Sequence, residues 1–254
     1  MKGRYTRFLS DGLPLFGQQA GVFAQDDIDV ATWLSVSSSG RVDVHSEYGT
    51  FFSPRVSALM RAGGWSSRVS AGRGFFGPTA LTEETEAAGL ARLRIPSALR
   101  AERSTSASVD LTRSAGPFSA TASYAYVRSV EPSDTPGRSV DVALTPRHGV
   151  SLAGMWEREG KGRVGLECYY TGVQRLEANP FRDESRPYIL FGALVERRVG
   201  RYRLFINAEN LGNVKQSGWD PLQRSTRGVD GRWTVDAWAP LDGRNVNGGV
   251  RVAF

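Results

Sequence analysis

Two stretches near the end of the chain decide the fold: RYRLFINAENL at 201–211 and NVNGGVRVAF at 245–254. In the first, Tyr202, Leu204, Ile206 and Ala208 are apolar, while Arg201, Arg203, Asn207 and Glu209 are polar; Phe205 breaks the rule. In the second, Val246, Val250, Val252 and Phe254 share one face, and Asn245, Asn247 and Arg251 lie on the other. A period of two describes a strand with one dry and one wet face. An aromatic end with no polar tail suits the last strand of a membrane barrel, which pairs with the first and carries an apolar outer face.

Composition alone does not choose between soluble and membrane β-structure. The 254 residues are 40% apolar and 23% charged, too polar for a helical membrane protein. No run approaches the roughly 20 apolar residues that a spanning helix requires. A membrane barrel escapes that limit, because only every second residue of each strand faces lipid. The net charge is +6, carried almost wholly by arginine, since lysine occurs only at Lys2, Lys161 and Lys215. The arginines alternate along strands or sit in loops and form no basic stripe, so no nucleic-acid partner is expected. The single cysteine, Cys168, excludes an internal disulfide and shares a face with Val164, Leu166 and Tyr170, which reads as an inert position. The opening MKGRYTRFLSDG lacks the apolar core of a signal peptide.

Along the chain, residues 1–20 read as a strand fragment around Phe8 and Leu9 and a Gly/Pro-rich loop. Two strands are expected around the acidic run Asp26–Asp29, the second with Leu34, Val36, Val42 and Val44 on its apolar face. PRVSALMR follows, then a tight turn at Ala62-Gly63-Gly64, then WSSRVSAGRG. Residues 75–98 break the alternation and suggest a long loop with one short helix, Thr82 to Ala91. RSTSASVDLTR and FSATASYAYVR resume it, and further strands are expected between them, near Arg113–Phe118. Four more strands come after EPSDTPGRSVDVALTPRHG, joined by connections that alternate short and long. That alternation is how outer-membrane barrels place short periplasmic turns and long extracellular loops. The strands, roughly ten to fifteen residues each, exceed soluble-sheet lengths and approach a tilted bilayer span. Trp65, Phe75, Phe76, Tyr126, Trp156, Tyr169, Tyr170 and Tyr188 gather near strand ends, as interfacial belts require.

Six pieces in order carry a more specific likeness: FFSPRVSALMR, SAGRGFFGPTALTEE, LRAERSTSASVDL, TPRHGVSLAGMW, FINAENLGN and APLDGR followed by GGVRVAF. Together they resemble the C-terminal barrel of a TonB-dependent outer-membrane receptor. FLSDGLPLFGQQAG is similar to a strand and loop of the same family's plug domain. The resemblance divides the chain into a plug-like fragment, 1–21, and a barrel region, 22–254, with most of the plug and about half of the ~22 strands missing. It implies uptake of a scarce nutrient of the iron–siderophore, cobalamin or saccharide class. It also implies an outer-membrane location, lipid and the barrel-assembly machinery as partners, and TonB as the partner of the full-length family. The terminal strand with Val250, Val252 and Phe254 resembles the signal read by that assembly machinery.

The chemistry-bearing residues are few. His45 and His148 come without a nucleophile elbow, so no catalytic role is expected, and nothing points to a cofactor or a metal. The TEETEA run at 82–87 reads as the solvated face of a loop helix, and the glycines of GRGFFG as a bend at a barrel rim. NPFRDESRPY and the loop with Trp219, Trp233 and Trp238 either contact cargo or cap the rim. The expectation is therefore an all-β, antiparallel transmembrane barrel or partial barrel of about ten to twelve long strands. A small passive pore and a soluble β-sandwich binding module are the alternatives, the sandwich disfavoured by its exposed apolar surface.

Overall fold

The computed structural model describes residues 9–10, 13–14, 18–78, 100–133, 135, 137–228 and 231–252. The Thr82–Ala91 helix, the TEETEA run and Phe254 lie outside the described residues. β1 (Leu9–Ser10) and β2 (Leu13–Pro14) form a minimal hairpin. The rest of the chain is built on one antiparallel sheet. Its strands are β3 (Gln19–Ala31), β4 (Leu34–His45), β5 (Gly49–Ala62), β6 (Trp65–Phe76), β7 (Glu102–Ala115), β8 (Phe118–Pro132), β9 (Ser139–Asp141), β10 (His148–Arg158), β11 (Gly162–Thr171), β12 (Tyr188–Val199), β13 (Tyr202–Glu209) and β14 (Asn245–Val252). Eleven of them follow one another in sequence order from β3 to β14, and the short β9 pairs only with the end of β8. The sheet is an open arc with β3 and β14 at its edges.

The register makes one face continuous. Ile206 on β13 stands opposite Val195 on β12, which stands opposite Val164 on β11, and that opposite Trp156 on β10. Further round, Leu152, Ala122 and Leu111 are opposite one another on β10, β8 and β7. Val69, Ala58 and Val36 extend the same face across β6, β5 and β4. The opposite face carries hydroxyls: Ser70 and Ser108 hydrogen-bond at 2.8 Å across β6 and β7, and Thr112 and Thr121 at 3.0 Å across β7 and β8.

Burial runs opposite to that of a soluble protein. On the apolar face Leu166 is 63% exposed, whereas Asp43 on the polar face is 1% exposed. The buried apolar side chains among the described residues are Phe51, Leu176, Trp238 and Ala239, far too few to be the core of a sandwich. A single layer that turns its apolar face outward needs an apolar surrounding for that face, as lipid gives to membrane barrels. Among the described residues no helix is long and apolar enough to cross a membrane.

Aromatic rings border the apolar band at both ends. Trp65, Phe118, Trp156 and Tyr202 lie near the short turns, and Phe52, Tyr124, Tyr126 and Tyr170 near the long loops. Phe118 to Tyr126 is eight steps along the strand, about 27 Å, which a roughly 40° tilt projects to about 21 Å, a little under the ~25 Å apolar band of membrane barrels. Tyr169 and Tyr188 leave the expected belt. Tyr169 faces inward and donates to Glu167 at 2.9 Å, while Tyr188 packs on Trp219. Each sits one residue from an outward position, and one residue is enough to change face.

Short connections, 32–33, 63–64, 116–117, 159–161 and 200–201, gather at one end of the sheet. Long ones, 77–101, 133–147, 172–187 and 210–244, gather at the other, together with the brief 46–48 turn. Gly63 and Gly64 have φ of +54° and +79°, the left-handed pair that a two-residue hairpin turn needs. Two expectations change. Asp26–Asp29 is not a break between strands: β3 runs through it and turns at Thr32-Trp33, with a bulge between Asp29 and Ala31. Two of these carboxylates face the hydroxyl-lined side and are hydrogen-bonded there, Asp27 by Gln25 at 2.9 Å and Asp29 by Ser35 at 2.6 Å. At Arg113–Phe118 there is no interval in the sheet, since β7 and β8 join through Gly116-Pro117 and pair as direct neighbours. Phe205, the exception to alternation, lies on the inner face opposite Gly249, and the Arg251 guanidinium lies over its ring at 5.4 Å.

Leu166→Arg, at mid-height on the outer face, should destabilise the chain folded in lipid vesicles by about 2–4 kcal/mol, against about 0–1 kcal/mol for Tyr202→Arg near the rim. Urea titration of the vesicle-inserted protein measures both.

Candidate functional site at the long-loop rim

Loops 172–187 and 210–244 are shaped by local turn chemistry in their described residues. In 172–187, Gln174 and Ser185 exchange hydrogen bonds, Ser185 N–H to the Gln174 carbonyl at 2.8 Å and Gln174 N–H to Ser185 Oγ at 2.9 Å. Leu176 N–H donates to the Asp183 carbonyl at 2.8 Å, so the loop is a short ribbon that prolongs β11 and β12. In 210–244, Asn210 has φ of +49°, and its side chain closes the first turn by accepting from Val214 N–H and donating to the Val214 carbonyl, both at 2.8 Å. A 3-10 turn at Gln216–Gly218 follows.

Two glutamines hold the loops, Gln216 within 210–244 and Gln174 between 172–187 and 210–244. Gln216 is fully buried; its Oε1 accepts from the N–H groups of Trp238 and Ala239 at 2.8 and 3.2 Å, and its Nε2 donates to the Asp236 carbonyl at 2.9 Å. Gln174 Nε2 crosses from the other loop to the Trp238 carbonyl at 3.0 Å. Leu176, Trp238 and Ala239 form a small apolar core between the loops, with Tyr188 and Trp219 packed against it. Trp219 stacks on Trp238 with centroids 5.4 Å apart. Arg182 lies over Trp238 at 5.7 Å and pairs with the buried Asp220 at 2.5 Å. Arg182 Nε, Asp220 Oδ2 and Trp238 Nε1 are buried here without a hydrogen-bond partner among the described residues. Arg175 ties this platform to the neighbouring loop, pairing with Glu131 at 2.8 Å and donating to the Asp141 carbonyl.

The tryptophans therefore divide. Trp219 and Trp238 hold the loops together, whereas Trp233 is 53% exposed with Arg227 over its ring at 5.6 Å, and Phe181 is 40% exposed. Of the aromatic residues expected either to contact cargo or to cap the rim, these last two face solvent. The glutamine clips carried no sequence signal, because their partners lie 20 or more residues away.

At the other side of the rim the β5–β6 ladder ends at Arg55 and Gly72. Above it Phe51 stacks on Phe75 at 4.0 Å, with Arg103 over the Phe51 ring at 5.6 Å. A cavity of about 400 Å³ opens there, lined by Tyr48, Arg100, Arg103 and Glu131 among others. The Tyr48 hydroxyl donates to the Pro78 carbonyl at 2.7 Å, and burial, followed by the charge of Glu47, pushes its pKa above the ordinary tyrosine range.

The histidines serve local structure. His45 is buried against Tyr48 with centroids 4.6 Å apart, and its Nδ1 accepts from Glu47 N–H at 3.1 Å. His148, first residue of β10, hydrogen-bonds Tyr124 through Nδ1 at 2.9 Å. Cys168 lies on the outer face between Leu152 and Phe191, as its alternation predicts. Val250 and Val252 project outward from the edge strand β14.

No family model and no curated sequence matches the chain. Solved structures do. A G324V mutant of the ferric enterobactin receptor of Pseudomonas aeruginosa superposes with a TM-score of 0.52 over 94% of this chain and 45% of its own, at 14% identity. The FrpB iron transporter of Neisseria meningitidis gives 0.51 over 92% and 45%, at 12% identity. The siderophore receptor PirA of Pseudomonas aeruginosa gives 0.54 over 76% and 39%, at 13% identity. The fold is that of a siderophore-receptor barrel. By name these neighbours are receptors and an iron transporter, and the resemblance seen in the sequence stands at the level of the fold. The chain spans less than half the length of each of them.

Gln216→Ala should leave the strands intact and free both loops. Three backbone groups lose their partner, at about 1–3 kcal/mol for each one that stays buried. Hydrogen exchange should rise across 172–187 and 210–244 while β10–β13 keep their protection.

Proposed function

We propose that this chain forms the C-terminal part of the wall and outer loops of a TonB-dependent outer-membrane receptor that takes up a small, scarce nutrient of the iron–siderophore class. The observation that carries the reading is the pairing of a lipid-ready outer face and a hydroxyl-lined inner face with a rim whose loops are locked by Gln174 and Gln216. A rigid loop platform presenting exposed aromatic and cationic groups suits a compact anionic metal chelate, which it can grip by stacking and charge. Trp233, Arg227 and Phe181 are the residues assigned to that contact.

Residues 1–21 are taken as a plug-like fragment and 22–254 as the barrel region. β14, with Val250, Val252 and Phe254, is the strand offered to the barrel-assembly machinery. The small-pore alternative is disfavoured by strand parity. Eleven antiparallel strands leave β3 and β14 running in the same direction, so they cannot meet as an antiparallel seam. On this reading residues 1–254 alone should bind cargo without transporting it, because 1–21 amount to only a fragment of a plug.

Tryptophan fluorescence of the detergent-refolded chain, titrated with ferric catecholate, hydroxamate and carboxylate siderophores, tests the assignment. One class should quench saturably, and Trp233→Phe should remove most of the quench while Trp219→Phe spares it. Absence of saturable quenching by any class overturns the siderophore assignment. Ligand uptake by this chain alone in a receptor-null strain overturns the division between binding and transport.

A further inference from the structure

The outer face is not uniform. Between β7 and β12 a groove of about 850 Å³ runs over Ala120, Ala122 and Gly154, walled by Leu152, Leu166 and Phe191. Toward the short-turn rim it continues as a hollow of about 400 Å³ beside Phe118 and Trp156. The two share Arg113, Ala120, Gly154 and Leu166. A Cβ added at Gly154 would meet nothing within 4 Å, so the recess is open to the outside rather than closed by a neighbour.

Arg113 stands at the foot of this groove. Its Nη1 donates to the Gly63 carbonyl, and its guanidinium lies over the Trp65 ring at 5.3 Å. Among the described residues no carboxylate ion-pairs with Arg113, nor with the exposed Arg158, Lys161 and Arg197 at the same rim, although Glu159 shares the turn with Lys161. An apolar trough that ends on a fixed, unneutralised guanidinium at an aromatic girdle matches a lipid whose acyl chain lies in the trough and whose phosphate reaches the cation.

We infer that this groove is a site for a single anionic phospholipid of the periplasmic leaflet, its acyl chain over Ala120, Ala122 and Gly154 and its headgroup on Arg113. The inference rests on the membrane reading above. Arg113 supplies the preference for an anionic headgroup, and the small residues supply depth. Ala120, Ala122 and Gly154 lie side by side here, whereas the small residues Ala58, Ala71 and Ala107 elsewhere on the outer face are interleaved with Val56, Val69 and Val109.

The full chain is inserted into phosphatidylethanolamine vesicles with and without phosphatidylglycerol, extracted gently, and its retained lipid read by native mass spectrometry. Wild type should retain phosphatidylglycerol in preference. Arg113→Gln should lower that preference about fivefold, the scale of one cation near an anionic headgroup. Gly154→Leu, whose Cβ meets no neighbour within 4 Å, should fill the recess and abolish retention of either lipid. A heat-modifiable band on gels shows whether each variant has folded. Failure of wild type to insert overturns the membrane reading and the site with it. Insertion with equal retention of the two lipids, or inserted variants that retain lipid as wild type does, overturns the site alone.

Discussion

Register in a single-layer sheet is the constraint from which the rest follows. Each long strand satisfies its backbone only through its neighbours, and each neighbour fixes which residues face which side. A slip of one residue between β10 and β11 would set Cys168 or Leu166 among the serines and move Glu167 to the outer face. The penalty falls on both faces at once, since a carboxylate would enter lipid and a leucine the hydroxyl-lined side. The fold thus needs no conventional core. Its specificity comes from alternation repeated across ten antiparallel pairings between eleven strands.

That is why so much of the wall was legible in the sequence. FSATASYAYVR, WSSRVSAGRG and RYRLFINAENL carry the period of two, and Gly63-Gly64 carries its turn chemistry locally. The misreadings had a common cause in side-chain partners that the period of two does not show. Asp27 and Asp29 look like turn residues, yet Gln25 and Ser35 satisfy them within and across strands. Phe205 looks like an error of alternation, yet Gly249 on β14 leaves room for its ring and Arg251 covers it.

The loop platform was the least legible part. Gln216 and Gln174 are ordinary polar residues in a polar stretch, and only the fold brings them to Trp238. Tryptophan content alone could not say whether the loop touches cargo or closes on itself, and both occur: Trp219 and Trp238 pack inward while Trp233 remains outside. A binding surface on loops works only if another set of residues holds those loops still, because ordering them at the moment of binding would weaken the complex. The buried Arg182–Asp220 pair contributes to that preorganisation, and Arg182 also caps the Trp238 ring.

The two edges of the arc set the terms on which it can be completed. β3 and β14 run in the same direction, so an antiparallel closure requires an odd number of additional strands whose own edges run the opposite way. Their lower ends also differ in charge. β3 carries Asp26, Asp27 and Asp29, whereas β14 carries Arg251 and its neighbour β13 carries Arg203. A complementary sheet would therefore meet an acidic edge on one side and a basic edge on the other. This polarity opposes swapping of the two seams, because like charges placed directly across a strand pair are destabilising. Strand direction and edge charge act independently, so an antiparallel closure of the arc needs an odd number of added strands, seated one way round.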